Sequence, residues 1–70
     1  MKKLDIATVN LRILRAKFCK TQKDISELLQ LSTVQYAKKE NQKAEFTLSE
    51  AKKLSNFFNE PIEKIFFTQT

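Results

Sequence analysis

No glycine occurs anywhere in the 70 residues, and the only proline is Pro61. Those two residue types supply much of the special backbone geometry on which tight hairpin turns depend. The chain also lacks any long alternation of apolar and polar residues, so it offers little to a β-sheet. Its apolar residues recur at helical spacing, and the sequence predicts an all-helical fold. No internal repeat, low-complexity tract or interdomain linker divides it, and we take residues 1–70 as a single domain. A chain of this length buries a smaller share of its surface than a large domain, which keeps the core modest.

Five helical segments follow from periodicity and capping. The first spans about residues 5–18, with Ile6, Val9, Leu11, Leu14 and Phe18 mostly at helical spacing and Asp5 as its cap. A second, 22–29, carries Ile25, Leu28 and Leu29 on one stripe, after Thr21 as N-cap with Asp24 three residues on. The third runs from Thr33 to Lys39 or Glu40, and Ser32 and Gln35 form a capping box at its start. The fourth, 48–58, opens on a second box, Thr47 with Glu50, and turns Leu48, Ala51, Leu54 and Phe58 inward. Asn59 fits its end, since Asn tolerates a left-handed conformation better than most residues with a Cβ. The fifth begins near Pro61, where proline forfeits no intrahelical bond, and adds Ile62, Ile65 and Phe66 to the core. Only Gln30, Leu31 and Ser32 separate the second helix from the third, the tight spacing of a helix-turn-helix unit.

Thirteen Lys and Arg against eight Asp and Glu leave a formal charge of +5. In so short a chain that bias favours polyanions, either nucleic acid or an anionic membrane surface, with plain solubility as the alternative. At 41% hydrophobic and 30% charged residues, the chain is too apolar for a disordered tail. Its one cysteine, Cys19, forbids an internal disulfide framework. With no histidine, a His-based triad is excluded and a His/Cys metal site lacks its ligands. Glu40, Glu45 and Glu50 stand as isolated carboxylates, and Cys19 reads as a small semi-buried thiol. We therefore expect no enzyme, no metal, no cofactor and no small-molecule ligand. No apolar run reaches the length of a membrane span, and no signal-peptide core follows Met1-Lys2-Lys3, so a cytoplasmic protein is expected.

Four stretches then match a known pattern in order and spacing. Thr21-Gln22-Lys23-Asp24-Ile25-Ser26-Glu27-Leu28-Leu29-Gln30-Leu31-Ser32 resembles the opening of the Cro and phage-repressor (Xre-type, lambda-repressor-like) helix-turn-helix family. Tyr36-Ala37-Lys38-Lys39-Glu40-Asn41-Gln42-Lys43 resembles the exit of its recognition helix. Phe46-Thr47-Leu48-Ser49-Glu50-Ala51 and Pro61-Ile62-Glu63-Lys64-Ile65-Phe66 are similar to its fourth and fifth helices. The resemblance covers about residues 11–66 and implies a compact five-helix domain that binds double-stranded DNA, with the third helix in the major groove.

Carried over residue by residue, it implies that Thr33, Val34, Gln35, Ala37 and Lys38 meet base edges. Lys38 donates to guanine, while Val34 and Ala37 offer apolar contact, for instance to a thymine methyl. Gln22, Lys23, Asn41 and Lys43 are implied phosphate contacts, Gln22 aided by the positive end of its helix. Arg15 and Glu40 match a structural salt bridge between the first and third helices. Lys2, Lys3, Arg12, Lys17 and Lys20 belong on the DNA side, whereas Lys52, Lys53 and Lys64 form a solvated face. The implied role is a Cro-like repressor of a phage or mobile element that occupies its operator as a homodimer, with Phe57 and Phe67 as the exposed dimer patch.

The sequence departs from the family at three places where glycine is common, which here hold Cys19, Gln30 and Gln42. Left-handed backbone at those residues costs about 1 kcal/mol each, and other turn geometry is the alternative. Lys20 replaces a frequent apolar residue whose space Phe18 fills, and Lys39 replaces a core aliphatic with its stem along the core and its ammonium in water. A weakly polar third helix keeps a rival reading open: the same fold as a protein-interaction module, with an antitoxin-like or antirepressor partner. A membrane-surface peptide fits poorly, because the basic residues do not gather along one helix face.

Overall fold

Five helices run in chain order, α1 over Ile6–Lys17, α2 over Gln22–Leu28, α3 over Thr33–Glu40, α4 over Leu48–Phe58 and α5 over Ile62–Phe66. The structure, a computed structural model, describes residues 6–67, and no strand occurs among them. The expected cap Asp5 and the basic residues Lys2 and Lys3 lie outside the described residues. Helices α1 and α2 each end one residue earlier than periodicity suggests. Pro61 sits in the N-cap position of α5, with Ile62 as the first helical residue.

The starts of α2, α3 and α4 are fixed by side chains. Thr21, Ser32 and Thr47 each accept a hydrogen bond from the backbone N–H three residues on, and Asp24, Gln35 and Glu50 return a bond to the cap residue's own N–H. Each box thus satisfies two backbone donors that a helix start would otherwise leave unpaired. Helix ends use one device throughout α1 to α4. Cys19, Gln30, Gln42 and Asn59 have φ of 55°, 61°, 65° and 56°, all left-handed. After each, a backbone N–H reaches back five residues: Lys20 to Arg15, Leu31 to Ser26, Lys43 to Lys38 and Glu60 to Ser55. This is the Schellman closure, formed here without a glycine. Cys19, Gln30 and Gln42 thus take the left-handed backbone that a glycine would adopt at no Cβ cost.

Leu11, Leu14, Ile25, Leu29, Tyr36, Leu54, Phe58 and Ile65 make the core, with Leu28, Leu31, Phe46 and Phe66 packed against it. Aromatic rings close two corners. Phe46 sits 5.4 Å from Phe66 and 6.1 Å from Tyr36, and Phe18 meets the edge of Phe58 at 5.1 Å. Leu48 was expected inside but is 67% exposed: as the first residue of α4 it stands at the mouth of a groove between α4 and α5 that stays open among the described residues. Phe18 fills its corner only in part and stays exposed, and Cys19, expected semi-buried, is exposed as well.

Helix α2 packs on α3, α1 on both α3 and α5, and α4 on α5. Polar groups reinforce this frame. The buried Asn10 donates from Nδ2 to the carbonyls of Lys64 and Ile65 at 3.0 and 2.9 Å, two last-turn acceptors of α5 that lack helical partners. Lys39 does not send its ammonium into water. Its Nζ donates to both oxygens of Glu50 at 2.7 and 2.9 Å, so an ion pair at the start of α4 replaces the aliphatic contact.

Candidate nucleic-acid interface

Helix α3 divides its residues cleanly between two sides. Tyr36 and Glu40, one turn apart, are fully buried, and Lys39 is turned to Glu50. Thr33, Val34, Gln35 and Lys38 are exposed and Ala37 is half-buried. Positions 33, 34, 37 and 38 follow the i, i+4 rule and share one outward face. Val34 is 66% exposed, an apolar side chain held in solvent on a helix whose inward positions are already filled.

Behind that face stands Glu40. Its carboxylate accepts from Arg15 Nε and Nη2 at 2.7 and 3.0 Å, from Gln22 Nε2 at 2.9 Å and from Tyr36 Oη at 2.8 Å. Its main-chain carbonyl accepts from Thr8 Oγ1. One residue at the end of α3 therefore ties that helix to α1 and to the first residue of α2. Burial pushes the Glu40 carboxyl up, but the hydrogen bonds from Arg15, Gln22 and Tyr36 outweigh it and hold the group below the usual carboxylate range. The same bond to Glu40 raises the Arg15 guanidinium. Burial, and then the neighbouring Glu40 charge, push the Tyr36 hydroxyl up, so it stays a neutral donor. Glu40 and Glu50 are thus not isolated carboxylates but the anionic halves of two interhelical pairs.

The expected phosphate contacts fall into two groups. Lys23 and Lys43 are exposed surface cations, and the Lys43 backbone N–H is tied to Lys38 O at 2.7 Å. Gln22 and Asn41 are linked through Glu40 and Arg12, one of the basic residues that the sequence assigns to the DNA side. Arg12 Nη2 donates to Asn41 Oδ1 at 2.9 Å. Arg12 and Arg15 are three apart on α1, and that spacing was the available signal that both meet the end of α3. Gln35, placed among the base contacts, also accepts at Oε1 from the Ser32 N–H at 2.9 Å. One end of its amide therefore caps α3 while Nε2 remains for a ligand.

The two candidate dimer residues have different neighbours. Phe57 touches Phe18 and Phe58 and lies under the Lys20 ammonium. Phe67, 75% exposed, lines the groove of about 770 Å³ together with Ile6, Phe46, Leu48 and Phe66. Among the described residues no helix is long and apolar enough to cross a membrane, and no cluster of His, Cys, Asp and Glu is grouped to hold a metal.

A helix with one braced and one exposed side, carried on a four-residue turn from the helix before it, is the unit that enters a DNA major groove. Fold and site together define a helix-turn-helix protein. The chain belongs to the helix-turn-helix family of the Cro/C1, Xre-like type, whose model matches residues 11–65. That membership makes it a DNA-binding helix-turn-helix regulator. No curated protein and no solved structure gives a significant match.

Proposed function

We propose that this protein reads a specific operator through the major groove with α3 and represses by occupying it, in the manner of a Cro-like regulator of a phage or mobile element acting in the cytoplasm. The observation that carries the reading is the outward face of α3, with Thr33, Val34 and Lys38 exposed around the half-buried Ala37 and the opposite side anchored by Tyr36 and Glu40. Thr33 donates and accepts, Lys38 donates to guanine O6 or N7, and Val34 with Ala37 suits a thymine methyl. Gln22, Lys23, Asn41 and Lys43 grip phosphates and fix the register without reading sequence. Gln35 adds Nε2 to the base side.

Two copies on two half-sites complete the reading, since this module gains affinity by dimerising on DNA. Exposed Phe57 and Phe67, 36% and 75% accessible, favour contact with a second copy over solvent, and Leu48 is exposed on the same groove as Phe67. The test is selection from a randomised duplex pool at two salt concentrations. A pseudo-palindrome with half-sites about one helical turn apart is expected. An unenriched pool, with weak binding that vanishes as salt rises, contradicts operator reading and moves α3 to a protein-binding role.

A further inference from the structure

We propose that the aromatic corner between α1 and α4, formed by Phe18 and Phe57 with Lys20 beside them, is a docking surface for an acidic amphipathic helical segment of another protein. Phe18 is 40% and Phe57 36% exposed, and both rest on the buried Phe58. Each meets the Phe58 ring near edge-on at 5.1 Å, and the two lie 6.1 Å from each other. Three rings in mutual contact hold one another's orientation, so the two outer faces are set before any partner arrives. The turn after α1 supplies a cation. Cys19 is left-handed, and the Lys20 N–H closes on Arg15 O at 2.8 Å. That closure brings the Lys20 ammonium to 5.9 Å from the centre of the Phe57 ring, within reach of its negative face.

Charge selects the partner. Residues 6–23 and 51–59, which carry this corner, contain no Asp or Glu. Lys17 stands next to Phe18, Lys53 precedes Phe57 by one turn of α4, and both lysines are exposed. Lys20 makes no ion pair among the described residues. Asp24 is held low by its hydrogen bonds with Thr21, at 2.9 Å from the backbone N–H, before the Lys20 charge adds to them, so its carboxylate is committed to the α2 cap. An apolar centre rimmed by cations is complementary to a segment that brings an apolar side chain flanked by carboxylates. An amphipathic helix presents that pattern along one face.

Size disfavours a second copy on this corner alone. A fully covered phenylalanine supplies about 150–250 Å², and two fall short of the roughly 800 Å² per partner of a stable interface. Two copies meeting here on a two-fold axis would also set one rim of cations against another. A short acidic helix meets neither obstacle. It takes Phe57 out of reach of a second copy, so on the dimer reading above, partner and dimer exclude each other at that residue.

The test is a heteronuclear NMR titration of the full chain, without DNA, by a synthetic peptide of Leu, Ala and Glu, about 15 residues long, with its leucines on one helical face. A scrambled peptide of the same composition is the control. Saturable shifts at residues 17–20 and 53–58 are expected, with the scrambled peptide about tenfold weaker and affinity falling as salt rises. Lys20→Glu should weaken binding about tenfold, while Lys20→Arg keeps it. Phe57→Gln should weaken it likewise, and Phe57→Leu, which stays apolar, should lose only part. Circular dichroism checks that each variant is folded. Absence of saturable binding overturns the proposal, as does equal binding of the scrambled peptide. So do shifts confined to the outward face of α3, which would mark the peptide as a mimic of DNA. A Phe57→Gln that alters the oligomeric state but not the peptide affinity gives the corner to a second copy and overturns it too. No DNA enters the measurement, so its outcome is independent of the operator selection.

Discussion

Glu40 has no exposed surface, yet it carries a full charge that Arg15, Gln22 and Tyr36 satisfy. Removing the carboxylate strands the Arg15 guanidinium, whose side chain is only 18% accessible. Glu40→Ala should therefore destabilise by on the order of 3 kcal/mol, as breaking a buried pair does, read from urea unfolding. The pH dependence has a defined sign. Glu40 and Glu50 are both held below the ordinary value of 4.5. The unfolded chain therefore binds protons first as pH falls, and stability present above about pH 4.5 is lost towards the lower folded values. Glu40→Gln should start less stable at neutral pH and lose less on acidification. An unchanged acid profile would place the lability in Glu50 and Asp24, the other carboxyls held low. Gln35 separates two roles in one side chain. Gln35→Ala should cost about 1 kcal/mol in stability for the lost cap, and any further loss in DNA affinity measures Nε2 at the bases.

The helices carry their own start and stop signals, which is why their order and bounds were legible. Thr21, Ser32 and Thr47 with Asp24, Gln35 and Glu50 are recognisable as pairs in the sequence, and each pair forms its box. The stops were harder to read, because no glycine marks them. Left-handed geometry at Cys19, Gln30 and Gln42 is imposed by the closing hydrogen bonds and by packing, against the preference of the residues themselves. Replacing each with glycine should relieve a Cβ clash at some cost in chain entropy, a net gain of about 0.5–1 kcal/mol apiece. Thermal unfolding of the three single variants and the triple checks this, and near-additivity is expected for separated sites. Leu48 shows the limit of periodicity. It continues the apolar stripe of α4 by spacing, but spacing does not tell whether a neighbour exists to cover the first turn, and none does among the described residues.

Taken together, the five helices set a braced back behind the outward face of α3. Helix α3 is held to α1 and α2 through Glu40 and to α4 through the Lys39–Glu50 pair. The resemblance made the Arg15–Glu40 brace legible, since both residues are present in this chain. The Lys39–Glu50 pair, the Gln22–Glu40 bond and the Arg12–Asn41 contact were not legible, because each joins side chains from different elements whose meeting depends on the assembled fold. Asn10 escaped for the same reason: a polar residue among helical apolar ones gives no sign that two carbonyls of α5 wait opposite it.

A braced helix with one free face makes separable demands on its lysines. Lys38 sits on the outward face of α3, and on the proposed docking Lys43, after the helix, lies towards phosphate alone. The decisive measurement is the affinity of wild type, Lys38→Ala and Lys43→Ala for the selected operator and for scrambled duplex at one salt concentration. Lys38→Ala should erode the ratio between the two by the worth of one base contact, about 1–3 kcal/mol. Lys43→Ala should weaken both equally and leave the ratio alone. Equal loss on both duplexes for Lys38→Ala would contradict base reading by α3.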